Sequence, residues 1–266
     1  MDLTGVPETM LWPLWNRASE VKRRDRLIDD PLAAELVDTI DYPFRKNFGR
    51  PSALHAVRAR VCDDLIRDYH QGQPESVAVI ALGEGLETQL WRLGDHVPNW
   101  FSVDVPEAIK VREQLLPAHP KQTLLPYSAL DTTWMDTLEK NSAPFISAAG
   151  LLMYFQETEV LELLKQIAAR FPRGQLYFDT IPPFFSRKTL KGLKVTKHYT
   201  APPMPWGVRL SELPTFIDDV GGWRVAFIKN YGEPFPKRTP IYKLMSQLPA
   251  GHSRFCGGLA HLIGAA

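Results

Sequence analysis

The stretch that decides the fold is Ser76-Val-Ala-Val-Ile-Ala-Leu82, followed by Gly83-Glu-Gly-Leu-Glu-Thr88. Its first part is an almost continuous apolar run, which is typical of a strand buried on both faces of a parallel sheet. Gly83 then permits a tight turn, and Gly85 lets a ligand approach the backbone closely. We therefore predict a strand at residues 76–82 with a ligand-binding turn directly after it.

Strands and amphipathic helices alternate on the C-terminal side of this turn. Five further strands are predicted, at residues 100–103, 123–125, 144–148, 175–178 and 223–228. Such alternation indicates right-handed βαβ units, and so an α/β fold with a doubly wound, mostly parallel sheet. The sequence does not let us place a seventh strand, and we interpret the apolar end at 257–266 only as too short to span a membrane.

The first 72 residues contain no strand pattern and read as a helical cap on the sheet. Asp30-Pro31 has the residue types of a helix start, with Asp as the N-cap and Pro at the first helical position. Helical patterns also lie around residues 12–19 and 51–69. With 266 residues in all, we expect a single domain over 1–266 with this cap at 1–72.

A long connection, residues 182–210, follows the fifth predicted strand. The chain has 23 prolines, against about 13 from average usage, and several of them lie at the two ends of this connection. Its middle is rich in lysine and arginine. One interpretation is a lid inserted over an anionic substrate, because α/β folds bind ligands at the carboxyl ends of their strands; the other is a solvated helix face.

Composition excludes several classes of function. The 31 Lys+Arg and 30 Asp+Glu leave a formal charge of +1, which argues against a dedicated nucleic-acid binder. The two cysteines, Cys62 and Cys256, are too few for a disulfide framework and favour a reduced, cytoplasmic location. We see no signal-peptide pattern, no membrane-spanning run and no Cys or His cluster with metal-ligand spacing. The oligomeric state is open.

An acidic residue ends the second predicted strand, as expected for an adenosine site. Asp104 lies 21 residues after Gly83, where a carboxylate hydrogen-bonds ribose hydroxyls in Rossmann-type folds. Thr88 stands where a pyrophosphate-binding G-x-G-x-x-G turn needs its third glycine. S-adenosylmethionine fits such a site better than NAD does. The alternative is that Asp104 merely caps the helix that begins at Pro106.

The G-x-G turn and five further segments, taken in order, resemble the leucine carboxyl methyltransferase family, most closely its bacterial branch. The five segments are residues 16–31, 58–64, 102–107, 128–135 and 150–155, and residues 202–207 are also similar to that branch. The resemblance covers residues 3–210. It implies a class I, Rossmann-like methyltransferase fold, with S-adenosylmethionine as methyl donor and S-adenosylhomocysteine as product.

The resemblance also implies donor-binding roles for residues near the strand ends. These residues are Arg58, Gly83, Gly85, Glu87, Asp104, Ser128, Ala129, Leu130 and Ala149. Three of them depart from the family pattern. Glu87 stands where an Asp is usual. Ser128 and Ala149 stand where the protein-modifying members have Asp and Glu. The departure at Ala149 makes a protein C-terminal leucine a less expected substrate.

Two residues take catalytic roles through the same resemblance, Arg58 and Tyr154. A carboxylate acceptor has a pKa near 4 and is already ionised at pH 7, so it needs alignment and desolvation rather than a general base. An arginine and a phenol could fix one of its oxygens and leave the other to attack. The alternatives are that Arg58 pairs with Asp63 or Asp64 on a helix surface, and that Tyr154 is a core aromatic.

Substrate contacts are less defined by the sequence. Trp12 and Trp206 could line an apolar acceptor pocket or belong to the core. Asp179, after the fifth strand, could contact substrate or cap the next turn. His198, in the long connection, could contact substrate or face solvent.

We therefore expect an O-methyltransferase that esterifies a carboxylate of a small-molecule metabolite, such as a polyketide or another secondary metabolite. The rivals are a hydroxyl O-methyltransferase that uses a general base and a protein C-terminal carboxyl methyltransferase. From other classes, an NAD-dependent oxidoreductase and a non-catalytic binding module stay open.

Overall fold

A computed structural model describes residues 8–71, 78–94, 97, 99–140, 142–248 and 254–265 of the chain. It contains one seven-stranded sheet in the order β3-β2-β1-β4-β5-β7-β6. The strands are β1 (Ala78–Leu82), β2 (Asn99–Asp104), β3 (Gln122–Pro126), β4 (Phe145–Ala148), β5 (Gln175–Thr180), β6 (Trp223–Asn230) and β7 (Gly258–Gly264). Strands β1 to β5 are parallel. The doubly wound, mostly parallel α/β sheet is confirmed, and residues 76–77 of the first predicted strand lie outside the described residues.

The seventh strand is the element that sequence reasoning missed. β7 (Gly258–Gly264) inserts between β5 and β6 and runs antiparallel to both. Its residues are almost all buried, so its apolar pattern reflects burial on both faces of the sheet. The apolar end that we could interpret only as too short for a membrane is therefore an interior strand.

Ten helices pack around the sheet within the described ranges. They are α1 (Glu8–Ala18), α2 (Pro31–Thr39), α3 (Phe44–Phe48), α4 (Leu54–Gln71), α5 (Gln89–Leu93), α6 (Pro106–Leu115), α7 (Glu157–Arg170), α8 (Pro183–Leu190), α9 (Leu213–Val220) and α10 (Pro240–Ser246). The predicted start at Asp30-Pro31 is observed, because the Asp30 side chain accepts a hydrogen bond from the Ala33 backbone N–H. Within the described part of the chain, no helix is long and apolar enough to span a membrane.

The G-x-G turn has an irregular backbone that separates β1 from helix α5. Gly83 and Gly85 have φ angles of 61° and 53°, and this left-handed backbone cannot continue into a right-handed helix. Helix α5 begins at Gln89, four residues after Gly85. Residues 83–88 stay as an open loop whose backbone is available to a ligand.

The apolar core has three parts. Two lie on opposite faces of the sheet, one beneath α7 and α9 and the other beneath α4. The third joins α1, α2 and α3 to α6 and to Tyr199 of the connection at 182–210. The helical cap is thus packed against the same edge of the sheet that carries the G-x-G turn.

Candidate active site

A cavity of about 640 Å³ opens at the carboxyl ends of β1 and β4. The strand order reverses between these two strands, and doubly wound folds bind their ligands at such a switch point. Residues of α1, α4, α8 and α10 close the cavity from the other sides. A smaller cavity of about 350 Å³ is lined only by residues 15–51 of the cap and includes none of the predicted site residues.

Most of the predicted site residues line the larger cavity. They are Trp12, Arg58, Gly83, Gly85, Glu87, Asp104, Ala149, Tyr154 and Asp179. The remaining predicted residues do not line it: Ser128, Ala129, Leu130, His198 and Trp206.

Three of these remaining positions have clear structural explanations. Trp206 is 1% exposed and packs between Phe178 and Phe216 in the core beneath α7 and α9. His198 lies on the exposed surface. The loop at 128–130 follows β3, where Ala129 accepts a hydrogen bond from the indole of Trp134 and packs into the core. These side chains are placed by packing or by solvent, not by the cavity.

Asp104 joins the end of β2 to the G-x-G turn. Its two carboxylate oxygens accept hydrogen bonds from the backbone N–H groups of Gly85, at 2.8 Å, and Val105, at 2.9 Å. Burial raises the pKa of Asp104, and these two hydrogen bonds oppose the increase. Each oxygen keeps a lone pair for another donor, so the carboxylate can still accept from hydroxyl groups of a ligand in the cavity.

A buried arginine donates hydrogen bonds to the backbone of the G-x-G turn. Arg112 of α6 is 1% exposed and donates to the carbonyl oxygens of Gly85, at 2.5 Å, and Glu87, at 3.0 Å. The same guanidinium lies 3.1 Å from the carboxylate of Glu84, which also accepts from the indole of Trp100. Side-chain contacts, rather than the hydrogen bonds of a helix or strand, therefore hold the conformation of this loop.

Glu87 is the centre of a second set of buried ion pairs. Its carboxylate lies 3.1 Å from Arg17 of α1 and 2.9 Å from Arg92 of α5. Both arginines also pair with Asp30, the N-cap of α2. Burial by itself raises the pKa of Glu87, but Arg17 and Arg92 outweigh it and lower the pKa to about 2. These pairs fix the helical cap to the turn.

Arg58 of α4 reaches across the cavity to Asp179, with 3.2 Å between Nη1 and Oδ2. The other oxygen of Asp179 accepts from the Gly150 N–H at 2.5 Å, and the Tyr231 hydroxyl donates to Oδ2 at 2.5 Å. Burial alone would lower the pKa of Arg58, but Asp179 outweighs it and raises the pKa. Asp179 thus orients the guanidinium and two neighbouring groups at once.

This geometry corrects three predictions. Asp63 pairs with Arg92 and Asp64 pairs with Arg60, so neither is the partner of Arg58. Asp179 lies within β5 rather than after it, and its contacts with Arg58 and Gly150 mean that it does not cap the following turn.

Tyr154 is the last residue of a short 3-10 helix after β4 and lines the same cavity. Burial raises the pKa of its hydroxyl to about 12, with Arg58 opposing and Asp179 reinforcing the increase. Among the described residues, none forms a hydrogen bond with this hydroxyl, and it is not shut away from the cavity. Tyr154 is therefore a neutral phenol beside Arg58 with its hydroxyl available to a ligand.

Sequence reasoning missed a polar pair on the cap side of the cavity. The Asn16 side chain of α1 meets His55 of α4, with 2.5 Å between Nδ2 and the ring Nδ1. Burial lowers the pKa of His55 well below its usual value, and the charges of Arg58 and Arg17 add to the decrease. The two residues are 39 positions apart, and nothing in either local pattern indicates the contact.

The opposite wall of the cavity is aromatic and apolar. Phe184 of α8 and Phe255 lie edge to face, with 5.5 Å between ring centroids. Lys188 lies 5.4 Å from the Phe184 ring and Arg254 lies 5.5 Å from the Phe255 ring. Other members of this wall are Phe185, Met204, Ile241, Tyr242 and Met245. Two cations thus flank an aromatic pair at the edge of the cavity.

The described residues include no group of three His, Cys, Asp or Glu side chains that could hold a metal ion. The polar side chains that line the cavity include arginines, carboxylates, three phenols, an imidazole, amides and hydroxyls.

Comparison with known proteins gives the family. The model of the leucine carboxyl methyltransferase family matches residues 11–168, which is more than half of the chain. The chain is also similar to the tetracenomycin polyketide synthesis O-methyltransferase TcmP of Streptomyces glaucescens, with 30% identity over 77% of this chain and 76% of that protein. An S-adenosyl-L-methionine-dependent methyltransferase of Gibberella zeae is 26% identical over 66% of each chain.

Solved structures share the fold. A structure from Thermobifida fusca YX, described as a methyltransferase, aligns with a TM-score of 0.62 at 13% identity, covering 100% of this chain and 97% of that one. The magnesium protoporphyrin IX methyltransferase of Synechocystis PCC 6803, solved with S-adenosylhomocysteine, aligns with a TM-score of 0.50 at 11% identity, over 97% and 100% of the two chains. The fold, the turn at the end of β1 and the family match together show that the chain belongs to the leucine carboxyl methyltransferase family and is an S-adenosylmethionine-dependent methyltransferase.

Proposed function

We propose that the protein transfers the methyl group of S-adenosylmethionine to a carboxylate of an apolar, ring-containing small molecule and releases its methyl ester. Arg58 and Tyr154 are the acceptor-binding residues of this proposal. The relative TcmP, a polyketide synthesis O-methyltransferase, supports a secondary metabolite as the acceptor. A location in the cytoplasm stays a prediction from the sequence.

The donor end of the cavity fits the methyl donor. We define it as the turn at 83–87 together with Asp104; the carboxylate would hold the ribose hydroxyls, and the glycines leave the backbone open to the rest of the donor. Arg58 would also reach the donor's own carboxylate. When bound, S-adenosylmethionine supplies a methyl group on a positively charged sulfur, which an acceptor oxygen takes by in-line displacement, leaving a neutral thioether.

One observation carries the choice of acceptor: each carboxylate that lines the cavity is already engaged. Glu84 pairs with Arg112, Glu87 with two arginines, and Asp179 with Arg58; Asp104 accepts from two backbone groups. Three of these carboxylates are thus held by arginines, and the ribose hydroxyls of the donor would take the remaining lone pairs of Asp104, so none among the described lining residues is left as a base for a hydroxyl acceptor. An acceptor that arrives ionised at pH 7, as a carboxylic acid does, needs no such base.

The acceptor end of the cavity indicates the rest of the molecule. We define it as Phe184, Phe185, Ile241, Met245 and Phe255, all of which line the cavity. Aromatic walls favour flat, apolar rings. Lys188 and Arg254 beside this wall add positive charge that attracts an anion to the entrance.

The test uses a matched pair of acceptors, 2-naphthoic acid and 2-naphthol, with a methyl-labelled donor. We expect label to appear in the methyl ester of the acid and not in the methyl ether of the phenol. The rate should be flat between about pH 6 and pH 9, because the carboxylate is ionised throughout this range. Methylation of 2-naphthol that rises with pH would instead identify a hydroxyl O-methyltransferase.

Arg58→Ala tests the site assignment, with Arg67→Ala on the exposed face of the same helix as the matched control. Losing a buried charged hydrogen-bond donor is expected to lower kcat/KM by about 100-fold, while Arg67→Ala stays close to wild type. S-adenosylhomocysteine affinity is measured by calorimetry in parallel. If Arg58→Ala keeps both donor affinity and turnover, Arg58 is not part of the site.

A further inference from the structure

Asn16 and His55 form a polar pair at the cavity whose orientation can be read from its hydrogen bonds. The backbone N–H of Ser52 donates to Asn16 Oδ1 at 2.9 Å. The carbonyl side of the amide is thereby fixed, and its Nδ2 faces His55 Nδ1 at 2.5 Å. An amide nitrogen can only donate. His55 Nδ1 must therefore accept, and the single proton of the neutral ring lies on Nε2.

The surroundings keep the ring neutral. Arg58 lies three residues further along α4 and Arg17 lies on α1, and both cations disfavour a second proton on the imidazole; Glu87 opposes them. Burial acts in the same direction as the two arginines and is the largest cause of the lowered pKa. A flip of the Asn16 amide is also disfavoured, because it would set its NH₂ group against the Ser52 N–H.

The other ring nitrogen is free for a ligand. Among the described residues, none forms a hydrogen bond with His55 Nε2, and that atom is not among the fully buried unpaired ones. His55, Asn16 and Arg58 all line the cavity, and positions 55 and 58 share one face of α4. Trp12 packs edge-on against the imidazole, with 5.6 Å between ring centroids, which limits its rotation.

We propose that His55 donates its Nε2–H to the acceptor oxygen beside Arg58, and so selects an acceptor that already carries an oxyanion. This inference rests on the proposed function and adds a third acceptor-binding residue to Arg58 and Tyr154. The role is that of a fixed donor and not of a general base, because a base needs an unprotonated nitrogen facing the substrate. A carboxylate accepts hydrogen bonds from both His55 and Arg58. A phenol also carries an O–H proton, and this proton meets no acceptor at Nε2, which is itself a donor.

The first experiment measures the tautomer directly. The ring nitrogens of His55 are observed by 15N NMR in the labelled protein with S-adenosylhomocysteine bound, before and after adding 2-naphthoate or acetate as oxyanion probes. We expect a protonated Nε2, an unprotonated Nδ1, and a downfield shift of the Nε2 proton with the oxyanions but not with 2-naphthol. A protonated Nδ1, or no response to either oxyanion, overturns the proposal.

Three variants then separate donation from packing. His55→Phe keeps a flat ring without a donor and should raise the KM for 2-naphthoate by about 10- to 100-fold, the range for a hydrogen bond to a charged group. His55→Gln places an amide N–H near the position of Nε2 and should restore most of this loss. His198→Phe, on the exposed surface, is the control and should leave KM unchanged.

Asn16→Asp reverses the hydrogen bond, because a carboxylate oxygen accepts from Nδ1 and draws the ring proton to that side. We expect this variant to lose the Nε2 proton signal and to resemble His55→Phe in its KM, with S-adenosylhomocysteine affinity unchanged. An unchanged KM in both His55→Phe and Asn16→Asp contradicts the proposal. If no carboxylate is methylated at all, the proposed function fails, while the NMR response to oxyanions still decides the role of His55.

Discussion

The donor end and the acceptor end of the cavity are held by different kinds of interaction. At the donor end, Arg17, Arg92 and Arg112 are at most 3% exposed, and all pair with carboxylates or with loop carbonyls. At the acceptor end Phe184 lies edge to face with Phe255, and Ile241 of α10 is 69% exposed. Directional, buried ion pairs fix one geometry, whereas apolar contacts adapt to many shapes. In the proposed function, the end with fixed geometry would hold the methyl donor and the more adaptable end would hold the acceptor.

The largest expected effect comes from the ion pairs of the donor end. Arg92→Ala leaves Asp63, which is 1% exposed, without its arginine and leaves Asp30 with Arg17 alone, and breaking a buried pair in this way costs about 3–5 kcal/mol. Arg67→Ala removes a pair whose side chains are more than 40% exposed and should cost less than about 1 kcal/mol. Urea unfolding of both variants measures the difference, and equal losses would contradict the distinction between the two ends.

The same ion pairs predict a pH dependence of stability. The pKa of Glu87 is lowered to about 2 in the folded chain, so its ionised form stabilises the fold above the unfolded pKa of about 4.3. This contribution, about 3 kcal/mol from the shift, is lost as the pH falls through about 2.

The measurement is the free energy of unfolding of Glu87→Gln and of wild type between pH 7 and pH 2. We expect the variant to be less stable at pH 7 and the difference to shrink as the pH falls below about 4. Glu162→Gln, on the exposed face of α7, is the control. A difference that stays constant down to pH 2 means that the charge of Glu87 does not stabilise the turn.

At the acceptor end we expect the interaction between two aromatic side chains to contribute less to the free energy of unfolding than the ion pairs of the donor end do. Phe184 and Phe255 lie edge to face, and such a pair contributes about 0.5–1.5 kcal/mol beyond its buried area. A double-mutant cycle of Phe184→Ala and Phe255→Ala measures this coupling by unfolding. Affinity for S-adenosylhomocysteine should be unchanged in all three variants; a common loss of donor affinity would show that the two ends are not separable.

The smallest effect is expected on the outer face of α10. Leu244 is 63% exposed, so Leu244→Ala should change the free energy of unfolding by less than about 0.5 kcal/mol. Leu90 of α5, beside the donor end, is fully buried, and Leu90→Ala is expected to cost about 2–5 kcal/mol. Differential scanning calorimetry of both variants tests this contrast, and a large loss from Leu244→Ala would mean that α10 is covered by another part of the chain.

Elements with a strong local pattern were predictable from the sequence. The apolar run ending at Leu82 and the proline-marked start of α2 both form where their patterns indicate. Boundaries moved where tertiary contacts extended or shortened an element, as at β5, which continues through Asp179. β7 escaped prediction because a short apolar run carries no periodicity that distinguishes a central antiparallel strand from other buried segments.

The sequence by itself determined the α/β class, the G-x-G turn, the acidic end of β2 and the family, because each depends on residues that are close together along the chain. Only the tertiary structure decided which charges meet. Arg58 pairs with Asp179, 121 positions away, rather than with the acidic residues on its own helix. Asn16 of α1 likewise meets His55 of α4, 39 positions away. Such pairs join side chains through space, and a side chain carries no local signal of the partner that folding brings to it.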